Sequence, residues 1–120
     1  MRQALAYVLL FVAAAAVLAG CGASRKGDLS EARFRQDPQL ARGRVVFMHN
    51  CHQCHVQGGA GLGPGIIDKP LPAAAIKTQV RLGAGTMPSF GPEKISDDDL
   101  NAIVAYLGVL KKEGQPLAMR

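Results

Sequence analysis

The sequence predicts one small all-α domain, and three observations predict it. The chain has 120 residues, room for a single compact core and not for two. Apolar residues recur at spacings of three and four in three separate segments, and no stretch shows the period-two alternation of a half-buried strand. The composition, 48% hydrophobic against 19% charged, is that of a folded chain rather than a disordered one. A multidomain enzyme and a multi-span membrane protein are excluded on size and composition. The formal net charge of +5 suits contact with acidic surfaces, but the basic residues form no long block, so a nucleic-acid partner is not expected.

The segments follow in chain order. Arg2 is the only charge before an apolar run from Ala4 to Ala19, the layout of an export signal. The run ends in Leu18-Ala19-Gly20-Cys21, which resembles the lipobox of bacterial lipoproteins. That resemblance implies that residues 1–20 are removed and that Cys21 carries a diacylglyceryl anchor. The domain would then be exported and held on a membrane, facing the periplasm or the cell exterior. Gly22 after the cysteine, rather than an aspartate, resembles lipoproteins sorted to an outer membrane. An uncleaved membrane span from Ala4 to Cys21 and an ordinary cleaved signal remain as alternatives. Loss of residues 1–20 leaves a net charge of +4 and only Phe34, Phe47, Phe90 and Tyr106 as aromatics, few enough that something other than protein is expected to supply part of the core. Residues 21–37 mix small and charged types without apolar periodicity and are expected to form a flexible tether, its ends about 20–24 Å apart. The domain proper is placed at 38–120.

Asp37-Pro38 starts the first predicted helix, with aspartate as N-cap and proline at the first helical position. Leu40, Gly43, Phe47, Cys51 and Cys54 then share one face. Pro72 and Gly83 bracket a second helix, with Ala74, Ala75, Ile76 and Val80 as its apolar side. The third opens on Ser96 with Asp99 three residues on, a capping-box-like pair, and Asp97, Asp98 and Asp99 suit the positive end of its dipole. Leu100, Ile103, Val104, Leu107 and Leu110 run along it, Lys111 and Lys112 suit its negative end, and Gly114 and Pro116 stop it. Segments 56–71 and 83–95 are Gly- and Pro-rich loops.

The chemistry is concentrated at Cys51-His52-Gln53-Cys54-His55, the Cys-x-x-Cys-His pattern of covalent haem attachment. Two thiols three residues apart near a helix end can reach the two vinyl groups on one side of a porphyrin, which leaves the His55 imidazole under the iron. A redox Cys-x-x-Cys would follow a strand in a βαβ unit, and none is visible. Zinc held by Cys51, Cys54 and His55 would call for a second, distant pair of soft ligands. A sixth iron ligand is offered by Met87, in Gly85-Thr86-Met87-Pro88, 32 residues after His55. A thioether opposite an imidazole raises the iron's reduction potential. The rivals are poorer: Met48 lies on the attachment helix, Met119 in the tail, Met1 in the signal. His49 and His52 are too near the attachment site to cross the ring and are expected to be solvated.

With these motifs in place, residues 38–112 resemble a class I monohaem cytochrome c. The resemblance implies a small cytochrome c fold of three main helices and Gly/Pro-rich loops around one haem c, attached through Cys51 and Cys54. It further implies that Gly43 and Phe47 pack against Ile103 and Tyr106 of the last helix, and that Pro64 of Gly61-Leu62-Gly63-Pro64 offers its carbonyl to the axial imidazole of His55. His55 and Met87 would fill both axial positions, leaving no room for substrate and no small-molecule reaction. The expected role is one-electron transfer, as a tethered shuttle or as the cytochrome subunit of an exported oxidoreductase, with transient docking to redox donor and acceptor proteins. The rival reading is a haem-based gas binder or sensor in which Met87 is displaced; a zinc-bearing structural lipoprotein is the third.

Overall fold

The computed structural model describes residues 26–114, together with Tyr7. The rest of the expected signal, Cys21 with residues 22–25, and the tail from 115 onward lie outside the described residues. Among the described residues four helices make up the fold: α1 (Glu31–Gln36), α2 (Pro38–Asn50), α3 (Ala73–Leu82) and α4 (Asp97–Glu113), with a short 3-10 turn at Val56–Gly58. Among them there is no strand, an isolated bridge joins Ala84 and Met87, and no helix is long and apolar enough to cross a membrane.

The helix ends are set by local chemistry. The Asp37 carboxylate accepts from the backbone N–H groups of Gln39 and Leu40, satisfying two donors that have no partner within α2. Ser96 Oγ accepts from the Asp99 N–H at 3.1 Å, and α4 carries three aspartates in its first turn and two lysines in its last. Helix α2 stops at Asn50, whose side chain donates back to the Val46 carbonyl, so Cys51 to Cys54 lie in the turns beyond the helix rather than on it.

The core is the crossing of α2 and α4. A Cβ on Gly43 would stand 2.0 Å from the carbonyl oxygen of Ala102, so the two backbones touch there and only glycine fits. One turn on, the rings of Phe47 and Tyr106 meet at 5.7 Å between centroids, both fully buried. Leu40, Leu100, Ile103 and Leu110 close around them. Helix α3 buries only Val80, with Ile76 partly covered, while Ala74 and Ala75 stay exposed.

The N-terminal segment differs from the expected tether. From Lys26 onward it is packed on the domain, and 31–36 is helix rather than coil. Leu29 and Phe34 are buried in the core cluster, Phe34 stacking obliquely on Tyr106 at 6.3 Å. Asp28 accepts a hydrogen bond from the Tyr106 hydroxyl at 2.9 Å and pairs with Arg44, whose guanidinium lies over the Phe34 ring. Lys26 donates to the Lys111 carbonyl and Arg33 pairs with Glu113 at 2.8 Å, tying the segment to the end of α4. The polar composition hid two apolar residues, and the groups that hold the segment lie far away in sequence. Residues from Lys26 onward therefore belong to the folded domain, which the sequence reading placed at 38–120.

Phe34→Ala is expected to lower the stability of the haem-loaded protein by about 3 kcal/mol, the usual cost of emptying a buried aromatic site. Arg35→Ala, on the exposed side of α1, is expected to leave it unchanged. Chemical denaturation of the two variants beside wild type checks both; a tether would make neither matter.

Candidate functional site

The turns after α2 wrap one imidazole. The Cys54 and His55 N–H groups donate to the Cys51 carbonyl at 3.1 and 2.9 Å, which folds the five-residue motif back on itself. The chain then passes Gln57 in the left-handed region (φ 51°) and returns, with the Gly63 N–H on the Cys54 carbonyl and the Ile66 N–H on the Gly58 carbonyl. His55 ends up 8% exposed, its Nδ1 2.8 Å from the Pro64 carbonyl oxygen. A carbonyl can only accept, so Nδ1 carries a proton, and in the neutral ring Nε2 is the nitrogen with the free lone pair. Gly63 leaves space for the ring: a Cβ there would stand 2.6 Å from Cε1.

His55 lines a cavity of about 890 Å³ between α2, α3, α4 and the two long loops. The cavity also takes in Cys51, Cys54, Gly63, Pro64 and, from the second loop, Met87. Ala75, Ile76, Gln79 and Val80 form its α3 wall, and Ile103 and Leu107 its α4 wall. Thus the side of α3 that is thinly covered by protein is the side that faces this space. Among the described residues Lys69 is the one lysine, arginine or acid in the lining, with its Nζ held by the Gly65 carbonyl at 2.9 Å. Burial, and secondarily the neighbouring Cys54, push the Cys51 thiol up to about 11, so it stays neutral at physiological pH.

The residues present fit a haem. The cavity is large and mostly apolar, two free cysteines stand on one wall three residues apart, and a buried imidazole with a fixed tautomer stands beside them. Met87 sits on the same cavity, partly buried against the core, and the turn that carries it is closed by two backbone hydrogen bonds with Ala84, of 2.9 and 3.1 Å. The structure thus brings Cys51, Cys54, His55, Pro64 and Met87 to one place, and Cys21 lies outside the described residues. Met48 is partly buried against the core and His49 is exposed. His52, expected to be solvated, is instead half-buried, its Nδ1 accepting from the Gln57 N–H at 3.2 Å and so holding the turn that follows His55. Sequence reasoning also missed Lys69, which nothing in its local pattern marks.

The chain matches the family described as cytochrome c oxidase, cbb3-type, subunit III, over residues 38–107. It is 34% identical over 74 residues to the cytochrome c subunit of 4-cresol dehydrogenase (hydroxylating) from Pseudomonas putida, covering 62% of this chain and 65%, just under two thirds, of that subunit. It is 32% identical over 78 residues to cytochrome c6 of Bryopsis maxima, covering 57% of this chain and 88% of that protein. Cytochrome c6 of Cladophora glomerata is 35% identical over 78 residues, 57% of this chain and 85% of that one.

Gly63→Ala is expected to push the imidazole away from the Pro64 carbonyl and to change the visible absorption and reduction potential of the haem-loaded protein. Gly108→Ala, on α4 with nothing within 4 Å of the added carbon, is expected to change neither. Spectra and redox titration of both variants decide it.

Proposed function

We propose a role for a chain whose family is plain: it belongs to the c-type cytochrome family described as cytochrome c oxidase, cbb3-type, subunit III, is a class I monohaem cytochrome c domain, and carries covalent haem c. Its function is haem-based electron transfer. When bound, the haem supplies a one-electron couple centred on its iron.

In our reading Cys51 and Cys54 hold the group covalently, His55 and Met87 are its two axial ligands, and Pro64 fixes the imidazole. The observation that carries this reading is the pairing of a tautomer-fixed His55 and a loop-held Met87 on one apolar cavity. A carbonyl on the Nδ1–H of a ligating imidazole makes Nε2 the only basic nitrogen and raises its donor strength. The residues around these two groups exclude water and hold both ligands, so little rearrangement accompanies gain or loss of an electron. The rim suits brief docking of a redox partner: Leu62 borders the cavity and is 88% exposed. A small apolar contact of that kind favours fast release. The partner is a donor or acceptor protein, met either by a shuttle or within an exported oxidoreductase, as the likeness to a dehydrogenase's cytochrome subunit suggests.

Cleavage before Cys21 and lipidation of its thiol would place the domain on a membrane, exported to the periplasm or cell exterior. The sequence supports this through the apolar run and the Leu18-Ala19-Gly20-Cys21 box. With residues from Lys26 onward packed on the domain, a lipidated Cys21 would lie at most about 18 Å from Lys26, so the domain would stay close to the membrane surface instead of swinging widely.

Met87→Ala is expected to lower the reduction potential and to let the reduced protein bind carbon monoxide, whereas wild type is expected not to bind it. Visible spectra of both proteins with and without carbon monoxide test this; binding by wild type would favour the gas-sensing role instead. Cys21→Ser is expected to move the protein from the membrane fraction to the soluble one, read by fractionation of the expressing cells.

A further inference from the structure

The loop that carries Met87 has few contacts of its own. Between Gly83 and Ile95 the buried side chains are Phe90 and Ile95 alone, and Met87, Gly83 and Gly91 are partly covered. Such a segment does not hold a ligand by packing. Its backbone is fixed at three places. The Ala84–Met87 turn closes on itself, and the Phe90 N–H donates to the Val80 carbonyl at 2.9 Å. The third place is one side chain, Arg81, on the last turn of α3.

Arg81 Nη1 donates to two carbonyl oxygens, Phe90 at 2.9 Å and Ile95 at 2.7 Å, and Nη2 meets the Asp97 carboxylate at 2.6 Å. One nitrogen thus gathers both ends of the segment 90–95, which is itself closed by the Lys94 and Ile95 N–H groups on the Gly91 carbonyl. The second nitrogen ties this knot to the start of α4. Asp97 is 86% exposed, so its ion pair contributes little, whereas Arg81 is 23% exposed and its two carbonyl bonds sit in a drier setting. The planar fork of a guanidinium can serve three acceptors at fixed angles; an ammonium on a flexible stem cannot hold the same three. A basic residue in the last helical turn is ordinarily read as a partner of the helix dipole. Here it is the clamp on the loop that follows.

We propose that Arg81 is a positioning residue for Met87: by binding the Phe90 and Ile95 carbonyls it fixes the loop that presents the thioether to the haem iron. This rests on the reading of Met87 as axial ligand. It predicts that the iron–thioether bond, and not only the fold, is sensitive to a side chain that touches neither.

The test uses the haem-loaded protein in five forms: wild type, Met87→Ala, Arg81→Met, Arg81→Lys and Asp97→Asn. The readouts are the far-red charge-transfer band of thioether-ligated ferric haem, carbon monoxide binding to the reduced form, and hydrogen exchange at the Ala84 and Met87 amides. Arg81→Met is expected to increase the carbon-monoxide-accessible fraction and the exchange of both amides by about tenfold, with helix content and covalent haem retained. Arg81→Lys is expected to fall between Arg81→Met and wild type, and Asp97→Asn to behave as wild type. If Arg81→Met and Arg81→Lys keep the band and stay indifferent to carbon monoxide while only losing thermal stability, the positioning role is overturned. If Arg81→Met does not fold, Arg81→Lys alone decides by the same readouts. If wild type lacks the band that Met87→Ala should abolish, the ligand reading fails first, and it fails visibly apart from the Arg81 result.

Discussion

The contact on which the rest of the molecule depends is the touching of two backbones at Gly43 and Ala102. No side chain intervenes there, so the distance between α2 and α4 is set by main-chain atoms and cannot relax. That close approach lets Phe47 and Tyr106 meet one turn further along. It also sets how the C-terminal end of α2, from which the Cys51–His55 turns begin, lies against α4. On the other helix it aims Ile103 and Leu107 at the same space. The cavity is therefore the consequence of a glycine eight residues before its first cysteine.

The two sides of that cavity are built on different principles. The His55 side is local: the motif, the return through Gly61 to Pro64 and the closing hydrogen bonds all lie within about a dozen residues, and nearly every one is backbone to backbone. The Met87 side depends instead on a side chain of the preceding helix. Its loop hangs from Val80 and from the Arg81 fork, and its end is tied to the first turn of α4. On the ligation proposed above, the imidazole would be fixed by its own loop and the thioether by a few replaceable bonds, so the weaker of the two iron bonds would be the one the protein can adjust.

What is legible in the sequence follows the same division. The caps of α2 and α4 are short-range patterns with a local physical reason, and each stands where its residues place it, whereas Cys51 and Cys54, read as part of a helical face, lie in the turns beyond α2. Gly43 and Tyr106 are legible only through family likeness, since nothing local requires a glycine in mid-helix. The N-terminal segment reads as a tether because its support is remote: Asp28 meets Tyr106 across 78 positions and Arg33 meets Glu113 across 80. Leu29 and Phe34, spaced by five, give no helical or strand period. Arg81 and His52 escape the sequence for a related reason, as residue types that are usually solvated or dipole-bound take on specific backbone partners.

The N-terminal segment also explains an oddity of the core, a carboxylate beside its largest aromatic. Burial raises the Tyr106 hydroxyl well above its ordinary range, and the hydrogen bond to Asp28 adds to this, so the phenol remains a donor under all ordinary conditions. Asp28 in turn holds Arg44, which caps Phe34 from above. An apolar residue at 28 would leave the Tyr106 hydroxyl without that acceptor and free the guanidinium from the ring. The charged pair is thus not an ornament of the surface. It lets a short polar segment close over the Phe47–Tyr106 contact, and it joins that segment directly to the helix crossing that shapes the cavity.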